Sequence, residues 1–400
     1  MPKIAKRAAY MPPSPIRKLV PFAEDAKRRG IHVYHINIGQ PDIHSPKEFL
    51  DAFRNHELDV IPYGHSAVLC EYRDELVKYY ARFDINITSE EIIVTTGGSE
   101  AIIFAMMATM DLNDEIIIPE PFYTNYNGFA VEAGVKIVPA TSRVEEGFKM
   151  PSIEEIEKKI SPKTRAIMIC TPNNPTGYVY TREEMEALRA LVLKHDLYFF
   201  SDEVYKEFIY DGAAYTSVMH LKGIEDRAVL LDSTSKRYSV CGARIGCLIT
   251  HNKEILDAGL HLGQARLCPP TLEQLAAKAA IHTPKSYFDE VIGEYKKRRD
   301  VVFEELKNIP GVVALKPQGA FYTIVKLPVE DADDFSAWLL KEYSHEGETV
   351  MLAPANGFYA TPGKGKDEVR IAFVLNADAM RHSIKILAEA LKVYPGRTGK

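Results

Sequence analysis

The sequence predicts an α/β fold with a mainly parallel sheet, followed by a smaller α+β unit. Between about residues 90 and 250, short apolar segments of strand length alternate with helical segments such as 182–195. This alternation implies right-handed crossovers between parallel strands. After an apolar-periodic helix over 272–282, the pattern changes to one long amphipathic helix over 286–308 and then to short strands. Because 400 residues are too many for one core, we expect two domains.

Each predicted strand is a short apolar run that ends at small or polar residues, which is typical of buried strands. The strands are predicted at 92–96, 166–170, 197–200, 228–231, 312–316, 320–327 and 369–374. A helical stretch over 100–110 follows the first strand, and a closing helix is predicted over 377–393.

The composition, 46% hydrophobic and 26% charged residues, is ordinary for a soluble globular protein. The net charge of −6 gives no reason to expect nucleic-acid or membrane partners. The five cysteines contain no Cys-x-x-Cys pair, which favours reduced thiols over disulfides or a metal site. No apolar signal core follows the first residues, and the longest apolar stretch, 101–110, is too short to span a bilayer. We therefore expect a cytoplasmic protein.

Lys236 follows the predicted strand 228–231, with Ser233 and Ser235 before it and Arg244 eight residues after it. Ligands of open α/β sheets bind beyond the carboxyl ends of the strands. The hydroxyls and the guanidinium are suited to hold a phosphate, which leaves the amine free for covalent chemistry. Taken alone, such a lysine is more often a solvated surface cation.

Three further segments fit the same chemistry. Strand 92–96 runs into Gly97-Gly98-Ser99 and a helix, a layout that binds phosphate through backbone N–H groups and the helix dipole. Strand 166–170 is followed by Asn-Pro-Thr-Gly at 174–177. Strand 197–200 leads into Asp202, a carboxylate that is poorly hydrated there and favours a cationic partner.

In this order, these motifs resemble the class I, aspartate aminotransferase-like aminotransferases of the fold-type I pyridoxal 5′-phosphate (PLP) enzymes. Each motif is weak alone, but the ordered set is specific, and the resemblance runs from about Ser14 to the final helix. It implies a large domain at 49–284, with a mainly parallel seven-stranded sheet between helices. It also implies that residues 1–48 form an N-terminal arm and part of the small domain. Residues 285–400 form the C-terminal, α+β part of that domain, which completes the PLP-dependent transferase fold.

The resemblance assigns roles around the cofactor ring. Lys236 matches the Schiff-base lysine, which also moves the proton from the substrate Cα. Asp202 matches the carboxylate that pairs with the pyridine nitrogen, and its alternative role is capping of a helix start. Asn174 and Tyr205 match the donors to the 3′ oxygen of the ring, although Tyr205 also fits an ordinary core aromatic residue.

The resemblance also assigns the groups that stack on the ring and hold the phosphate. Tyr123 falls where relatives stack an aromatic ring on the cofactor, with Phe122 and Tyr126 as alternatives. The expected phosphate ligands are the backbone of Gly98 and Ser99, the hydroxyls of Ser99, Ser233 and Ser235, and the Arg244 guanidinium.

Tyr63 matches the tyrosine that relatives lend from the neighbouring subunit, which implies a homodimer with a shared active site; an ordinary loop tyrosine is the alternative. This segment departs from the family pattern, because Val68 and Cys70 stand where relatives usually carry Gly and often Pro. A β-branched residue does not easily adopt positive φ, so the loop is expected to follow a different path.

Substrate recognition requires a grip on the α-carboxylate that all amino acids share. Arg370, on the alternating strand 369–374, matches the α-carboxylate arginine of the family, with the Gly39 backbone as helper. A solvated strand-edge arginine is the alternative. In the family, the segment around Ile16 and Gly39 moves over bound substrate and expels water.

A second cation distinguishes some relatives by the amino acid that they use. Relatives specific for dicarboxylates place a second cation either from the partner subunit or at the third position of the Gly-Gly-x turn, which is Ser99 here. Arg266 lies in the region from which relatives supply the partner-subunit cation, though not at the matching residue. Its alternative role is capping of a helix end. We expect aspartate and 2-oxoglutarate as substrates. The alternatives are an aromatic or broad-range aminotransferase, a PLP-dependent lyase, or a non-catalytic PLP-binding regulatory module.

Overall fold

Helices and strands alternate along the part of the chain that the computed structural model describes, residues 2–15, 17–67 and 69–399. The strands are β1 (His32–His35), β2 (Ile92–Thr95), β3 (Glu115–Glu120), β4 (Lys136–Thr141), β5 (Thr164–Cys170), β6 (Tyr198–Asp202), β7 (Ala228–Ser233), β8 (Gly246–Ile249), β9 (Tyr322–Lys326), β10 (Glu348–Met351), β11 (Ala353–Pro354) and β12 (Glu368–Ala372). The helices are α1 (Lys6–Tyr10), α2 (Val20–Arg28), α3 (Lys47–Arg54), α4 (Cys70–Ala81), α5 (Gly97–Thr109), α6 (Asn125–Ala133), α7 (Ile153–Glu157), α8 (Arg182–His195), α9 (Thr234–Arg237), α10 (Lys253–Arg266), α11 (Thr271–Ala280), α12 (Lys285–Leu306), α13 (Ala332–Lys341) and α14 (Ala377–Val393).

A seven-stranded sheet forms the centre of the described structure, in the order β2-β8-β7-β6-β5-β3-β4. Within this sheet β8 pairs antiparallel with both of its neighbours, and the other pairings are parallel. The predicted mainly parallel seven-stranded sheet is therefore confirmed.

The continuous apolar strands arise because the sheet is buried on both faces. Alternate side chains enter two different hydrophobic clusters: Ile167 and Ile169 of β5 pack into one, whereas Ala166 and Met168 pack into the other. In the same way, Leu230 of β7 packs into the first cluster, whereas its neighbours Val229 and Leu231 pack into the second. Helices therefore cover both faces of the sheet, as an α/β layer architecture requires.

The last third of the chain forms smaller sheets around a separate hydrophobic cluster. Strands β11, β12 and β9 pair antiparallel, and β1 from the N-terminal part pairs parallel with β10. The long helix α12 packs against α14. The domain boundaries at residues 48 and 284 stay a prediction.

Most predicted elements form with small shifts at their ends. The prediction of a strand at 312–316 is wrong, because Val313 makes one isolated bridge to Lys326 and residues 314–316 pair with no strand among the described residues. Helix α5 begins at Gly97 and not at residue 100, so both glycines and Ser99 lie in its first turn. The predictions about Ile16 and Val68 fall outside the described residues. Among the residues that are described, we find no helix with the length and apolar character of a membrane span.

Candidate active site

A cavity of about 300 Å³ lies where the carboxyl ends of the central strands meet the smaller sheets. Residues at or just beyond the ends of β5, β6 and β7 line it, together with the first turn of α5. Twelve residues predicted from the sequence line this cavity: Gly39, Gly98, Ser99, Tyr123, Asn174, Asp202, Tyr205, Ser233, Ser235, Lys236, Arg244 and Arg370. Tyr63 and Arg266 do not.

Lys236 projects its amine into the cavity from the short helix α9, directly after β7. Its Nζ donates to the Gly39 carbonyl oxygen at 2.9 Å and lies 3.6 Å from Cys241 Sγ. Burial lowers the pKa of the Lys236 amine, but Tyr322 and Cys241 raise it, and the net direction is upward.

A buried ion cluster fixes the helix that carries Lys236. Arg237 Nη1 donates to Asp232 Oδ2 at 2.7 Å, and Lys206 Nζ donates to the same oxygen at 2.5 Å. All three side chains are buried. Because a buried charge is costly without its partner, this cluster ties α9 to the end of β7.

Asp202, at the end of β6, is a buried carboxylate without a cationic partner within 4 Å among the described residues. Tyr126 Oη donates to its Oδ2 at 2.6 Å, and the backbone N–H of Val204 donates to Oδ1 at 3.3 Å. Burial raises the pKa of the Asp202 carboxyl to about 6. Such a group would be ionised more fully beside a cation, and a protonated ring nitrogen is a cation of that kind.

The turn between β2 and α5 forms a cradle of groups that are suited to bind an anion. Gly97 has φ of +76°, and a Cβ there would lie 2.3 Å from Arg244 Nη2, so the guanidinium reaches the turn only because residue 97 is glycine. Arg244 itself is in the left-handed region, with φ of +56°. The hydroxyls of Ser233 and Ser235 lie 2.8 Å apart, and both residues line the cavity. Backbone N–H groups, hydroxyls and an arginine are the donors that a phosphate dianion requires.

A chain of hydrogen bonds links the central sheet to the smaller one across the cavity. Asn174 Nδ2 lies 3.5 Å from Tyr205 Oη, which is 3.0 Å from Tyr322 Oη. Tyr322 Oη in turn lies 3.3 Å from the Gly39 carbonyl oxygen. A Cβ on Gly39 would fall 1.7 Å from Tyr322 Oη, so this approach requires glycine.

The aromatic segment after β3 presents Tyr123 to the cavity. Phe122 is fully buried in the core, and Tyr126 is engaged with Asp202. Neither Phe122 nor Tyr126 lines the cavity, whereas Tyr123 does. Of the three aromatic candidates, Tyr123 is therefore the one placed to contact a bound ring.

Arg370 lies on β12 and is 2% exposed. Its Nη1 donates to Asn174 Oδ1 at 3.0 Å and its Nη2 to the Asn37 carbonyl oxygen at 2.6 Å, whereas its Nε has no partner among the described residues. The rings of Tyr322 and Phe358 lie against the guanidinium, and burial lowers its pKa. A buried guanidinium without a carboxylate partner fits a ligand that brings the carboxylate.

Two predicted residues lie outside the cavity. Tyr63 is 82% exposed on a segment without helix or strand. Arg266 ends α10, where its Nε donates to Glu100 Oε1 at 3.1 Å and its Nη2 to the Val94 carbonyl oxygen at 3.3 Å. Within one chain, then, Arg266 is tied to its own fold, and the structure does not bring it to the substrate site.

Sequence reasoning missed Arg17, Cys241 and Tyr322, which also line the cavity, and the hydrogen bond from Tyr126 to Asp202. Tyr322 lies on a strand that the sequence did predict, but no sequence signal shows which of its faces meets Gly39. Arg17 follows closely after Ser14, where the family resemblance begins, and this position could have identified it as a candidate site residue.

Comparison with known proteins agrees with the geometry of the cavity. The family described as aminotransferase class I and II matches residues 32–387. The chain belongs to this family. Its members use PLP, and the phosphate cradle, the buried Asp202 carboxylate and the Lys236 amine fit that cofactor. The protein is thus a PLP-dependent aminotransferase with the fold of that class.

Individual relatives carry different substrate names. An aspartate aminotransferase of Geobacillus stearothermophilus is 31% identical over 96% of this chain and 97% of its own length. An aromatic-amino-acid aminotransferase of Thermococcus litoralis is 28% identical over 97% of this chain and 98% of its own. The solved structure of an alanine aminotransferase from Pyrococcus furiosus has a TM-score of 0.89 at 29% identity, over 98% of this chain and 100% of its own.

Proposed function

We propose that this aminotransferase moves the amino group of aspartate to 2-oxoglutarate by a ping-pong mechanism that uses Lys236. The observation that carries the proposal is one cavity that combines the Lys236 amine, the buried Asp202 carboxylate and an Arg370 guanidinium without a carboxylate partner. Aspartate is favoured as donor because the relative of 31% identity is named for it.

PLP, when bound, supplies an electron sink for the charge that develops at the substrate Cα. We assign its ring nitrogen to Asp202, which Tyr126 holds in place at 2.6 Å. We assign its 3′ oxygen to Asn174 and Tyr205, and the face of its ring to Tyr123. We assign its phosphate to the cradle that is formed by Gly98, Ser99, Ser233, Ser235 and Arg244.

Lys236 is proposed to bind the cofactor covalently and, when its amine is free, to take the proton from the substrate Cα. The ion cluster beneath α9 holds the lysine in place, and the Gly39 carbonyl oxygen orients its Nζ at 2.9 Å. Arg370 is proposed to bind the α-carboxylate, with Gly39 beside it. Fixing the carboxylate in this way sets the position of Cα relative to the Lys236 amine.

We further propose a homodimer in which Tyr63 reaches the phosphate of the partner's site. Tyr63 lies outside its own cavity and is exposed, as are the apolar side chains of Val60, Ile61 and Leu267. A dimer would remove these apolar side chains from water.

Hybrid dimers test the shared site. Tyr63→Ala and Lys236→Ala homodimers should each have low activity. In a mixed dimer, the subunit that keeps Lys236 receives an intact Tyr63 from its Lys236→Ala partner, so mixing and reassembly should raise activity well above that of both parents. If mixing restores nothing, Tyr63 does not act across the interface.

A cytoplasmic location also belongs to this proposal. The five cysteines are free in the structure, and two of them, Cys170 and Cys247, are buried. Unpaired thiols persist in reducing compartments, which is the physical support for this placement.

The deciding experiment is a panel of amino donors against 2-oxoglutarate with the PLP-loaded protein. The proposal expects the highest kcat/KM with aspartate, measured as oxaloacetate formed. A higher value with phenylalanine would favour the aromatic specificity of the Thermococcus litoralis relative. Release of ammonia without consumption of 2-oxoglutarate would instead indicate a lyase.

A further inference from the structure

Arg17 is a cation of the cavity wall to which the proposed function gives no role. Over the described residues, the wall carries four cationic side chains, Arg17, Lys236, Arg244 and Arg370, and one carboxylate, Asp202. Arg17 begins a single turn of 3-10 helix, Arg17–Leu19, that precedes α2. It therefore enters the cavity from the N-terminal part of the chain.

The proposed complex gives Arg17 no partner. Lys236 is used covalently, Arg244 faces the phosphate, Arg370 faces the α-carboxylate, and Asp202 faces the ring nitrogen. An amino acid with a neutral side chain brings no further charge. A donor with a second carboxylate brings one more negative charge, which Arg17 matches.

Arg17 also differs from the cations around it. Lys18, the next residue, pairs with Asp333, and the cations at the end of α2 pair within that helix, Lys27 with Glu24 and Arg28 and Arg29 with Asp25. Among the described residues, no carboxylate lies within 4 Å of the Arg17 guanidinium. A guanidinium that lines a cavity without an intramolecular carboxylate is available for the carboxylate of a ligand.

Described residues on both sides of Arg17 pack against other parts of the protein. Leu19 is buried in a hydrophobic cluster with Leu340 and Met351. On the other side Pro15 packs on Gly357, where a Cβ would lie 2.3 Å from the proline ring. The Arg17 N–H donates to the Ser14 carbonyl oxygen at 3.2 Å. Arg17 is thus an exposed residue at the cavity wall, and residues on both sides of it have fixed packing partners.

We propose that Arg17 binds the side-chain carboxylate of dicarboxylic substrates, so that the enzyme selects aspartate, glutamate and their 2-oxo acids. The inference rests on the proposed function and names its substrate class. The two residues considered from the sequence do not serve this purpose within the chain, because Ser99 is uncharged and Arg266 is held by Glu100.

The test compares Arg17→Gln, Arg17→Lys and a matched control, Arg7→Gln. Arg7 is an exposed arginine of the same N-terminal part that does not line the cavity. Each PLP-loaded protein is assayed with aspartate, glutamate, alanine and phenylalanine. Binding of succinate and propionate is measured by calorimetry, as a dicarboxylate and a monocarboxylate that need no turnover.

In Arg17→Gln, kcat/KM should fall roughly 10- to 100-fold for aspartate and glutamate, the size expected for loss of one charged contact. Alanine and phenylalanine should change by less than about threefold, because they bring no charge for Arg17 to match. Succinate should bind more weakly and propionate should not change. Arg17→Lys should recover part of the loss, and Arg7→Gln should behave as the wild type.

Equal losses for all four donors, or no loss for aspartate, would overturn the role of Arg17 while leaving the aminotransferase intact. A wild-type enzyme that prefers phenylalanine would instead overturn the proposed aspartate specificity. In that case the succinate measurement still decides whether Arg17 binds a second carboxylate.

Discussion

The floor and the rim of the cavity are built from different kinds of chain. The floor consists of strand ends and first helical turns, where Asp202, Ser233 and Lys236 are held by neighbours in the same subunit. The rim includes Ser14 and Arg17 of the N-terminal part, which precede α2. Segments 55–67 and 267–270 lie outside the cavity and have no helix or strand, and Tyr63 in the first of them is 82% exposed. The floor is therefore held by contacts within one chain, whereas the proposed substrate choice and the proposed shared site depend on segments outside the central sheet.

The largest effect is expected at the floor, from Lys236→Ala. Removing the amine that binds the cofactor and moves the Cα proton should lower turnover by more than about 10³-fold. The visible absorption of lysine-bound PLP should disappear in a spectrophotometric titration. The matched control is Lys136→Ala, an exposed lysine on β4. A Lys236→Ala enzyme with normal turnover would contradict the assignment.

Asp202→Asn tests the charge at the floor while keeping the shape of the side chain. Loss of a fixed charge that stabilises the transition state typically lowers the rate roughly 10²- to 10³-fold. We expect that loss in the single-turnover reaction with aspartate, followed by stopped-flow absorbance, and only a small change in PLP affinity. An unchanged single-turnover rate would show that another carboxylate, such as Glu203, pairs with the ring nitrogen.

Arg370→Ala and Arg266→Ala compare a buried arginine at the cavity with one outside it. Arg370→Ala should lower kcat/KM roughly 100-fold for every donor, because all donors share the α-carboxylate. Arg266→Ala should leave the ratio of aspartate to phenylalanine activity unchanged, because its guanidinium is held by Glu100. A selective loss of aspartate activity in Arg266→Ala would place that arginine in a partner's site.

The smallest effect concerns stability and has a defined sign. Burial raises the pKa of Asp202 to about 6, so between about pH 4 and 6 the folded, cofactor-free protein holds a proton that the unfolded chain has lost. Stability therefore falls as pH rises through this window, and the cost persists above it. Asp202→Asn should make the cofactor-free protein about 1–3 kcal/mol more stable at pH 8, and no more stable below about pH 4.

Urea unfolding of the cofactor-free proteins at both pH values checks this prediction, with Asp257→Asn, a substitution on α10 away from the cavity, as control. A variant that is less stable than the wild type at pH 8 would show that Asp202 contributes to folding more than its burial costs.

Local signals predicted the elements that carry the floor. Helix α8 has its predicted bounds because Thr181 and Glu184 form a capping box at its start and an apolar stripe faces the core. Strands β5, β6 and β7 were recognisable because they are buried on both faces and read as continuous apolar runs. Segment 312–316 carried a similar apolar pattern, yet only one of its residues pairs, since pairing depends on the partner strand and not on the segment.

By itself, the sequence determined the α/β class, the buried strands and the residues that follow them, because hydrophobic period and strand-end position are local properties. Only the tertiary structure decided which distant groups meet. Tyr322 reaches Gly39 across 283 residues of chain, Tyr126 secures Asp202, Arg266 is tied to Glu100, and Arg17 enters the cavity. No local pattern encodes these contacts, because they arise where separately folded layers pack against one another.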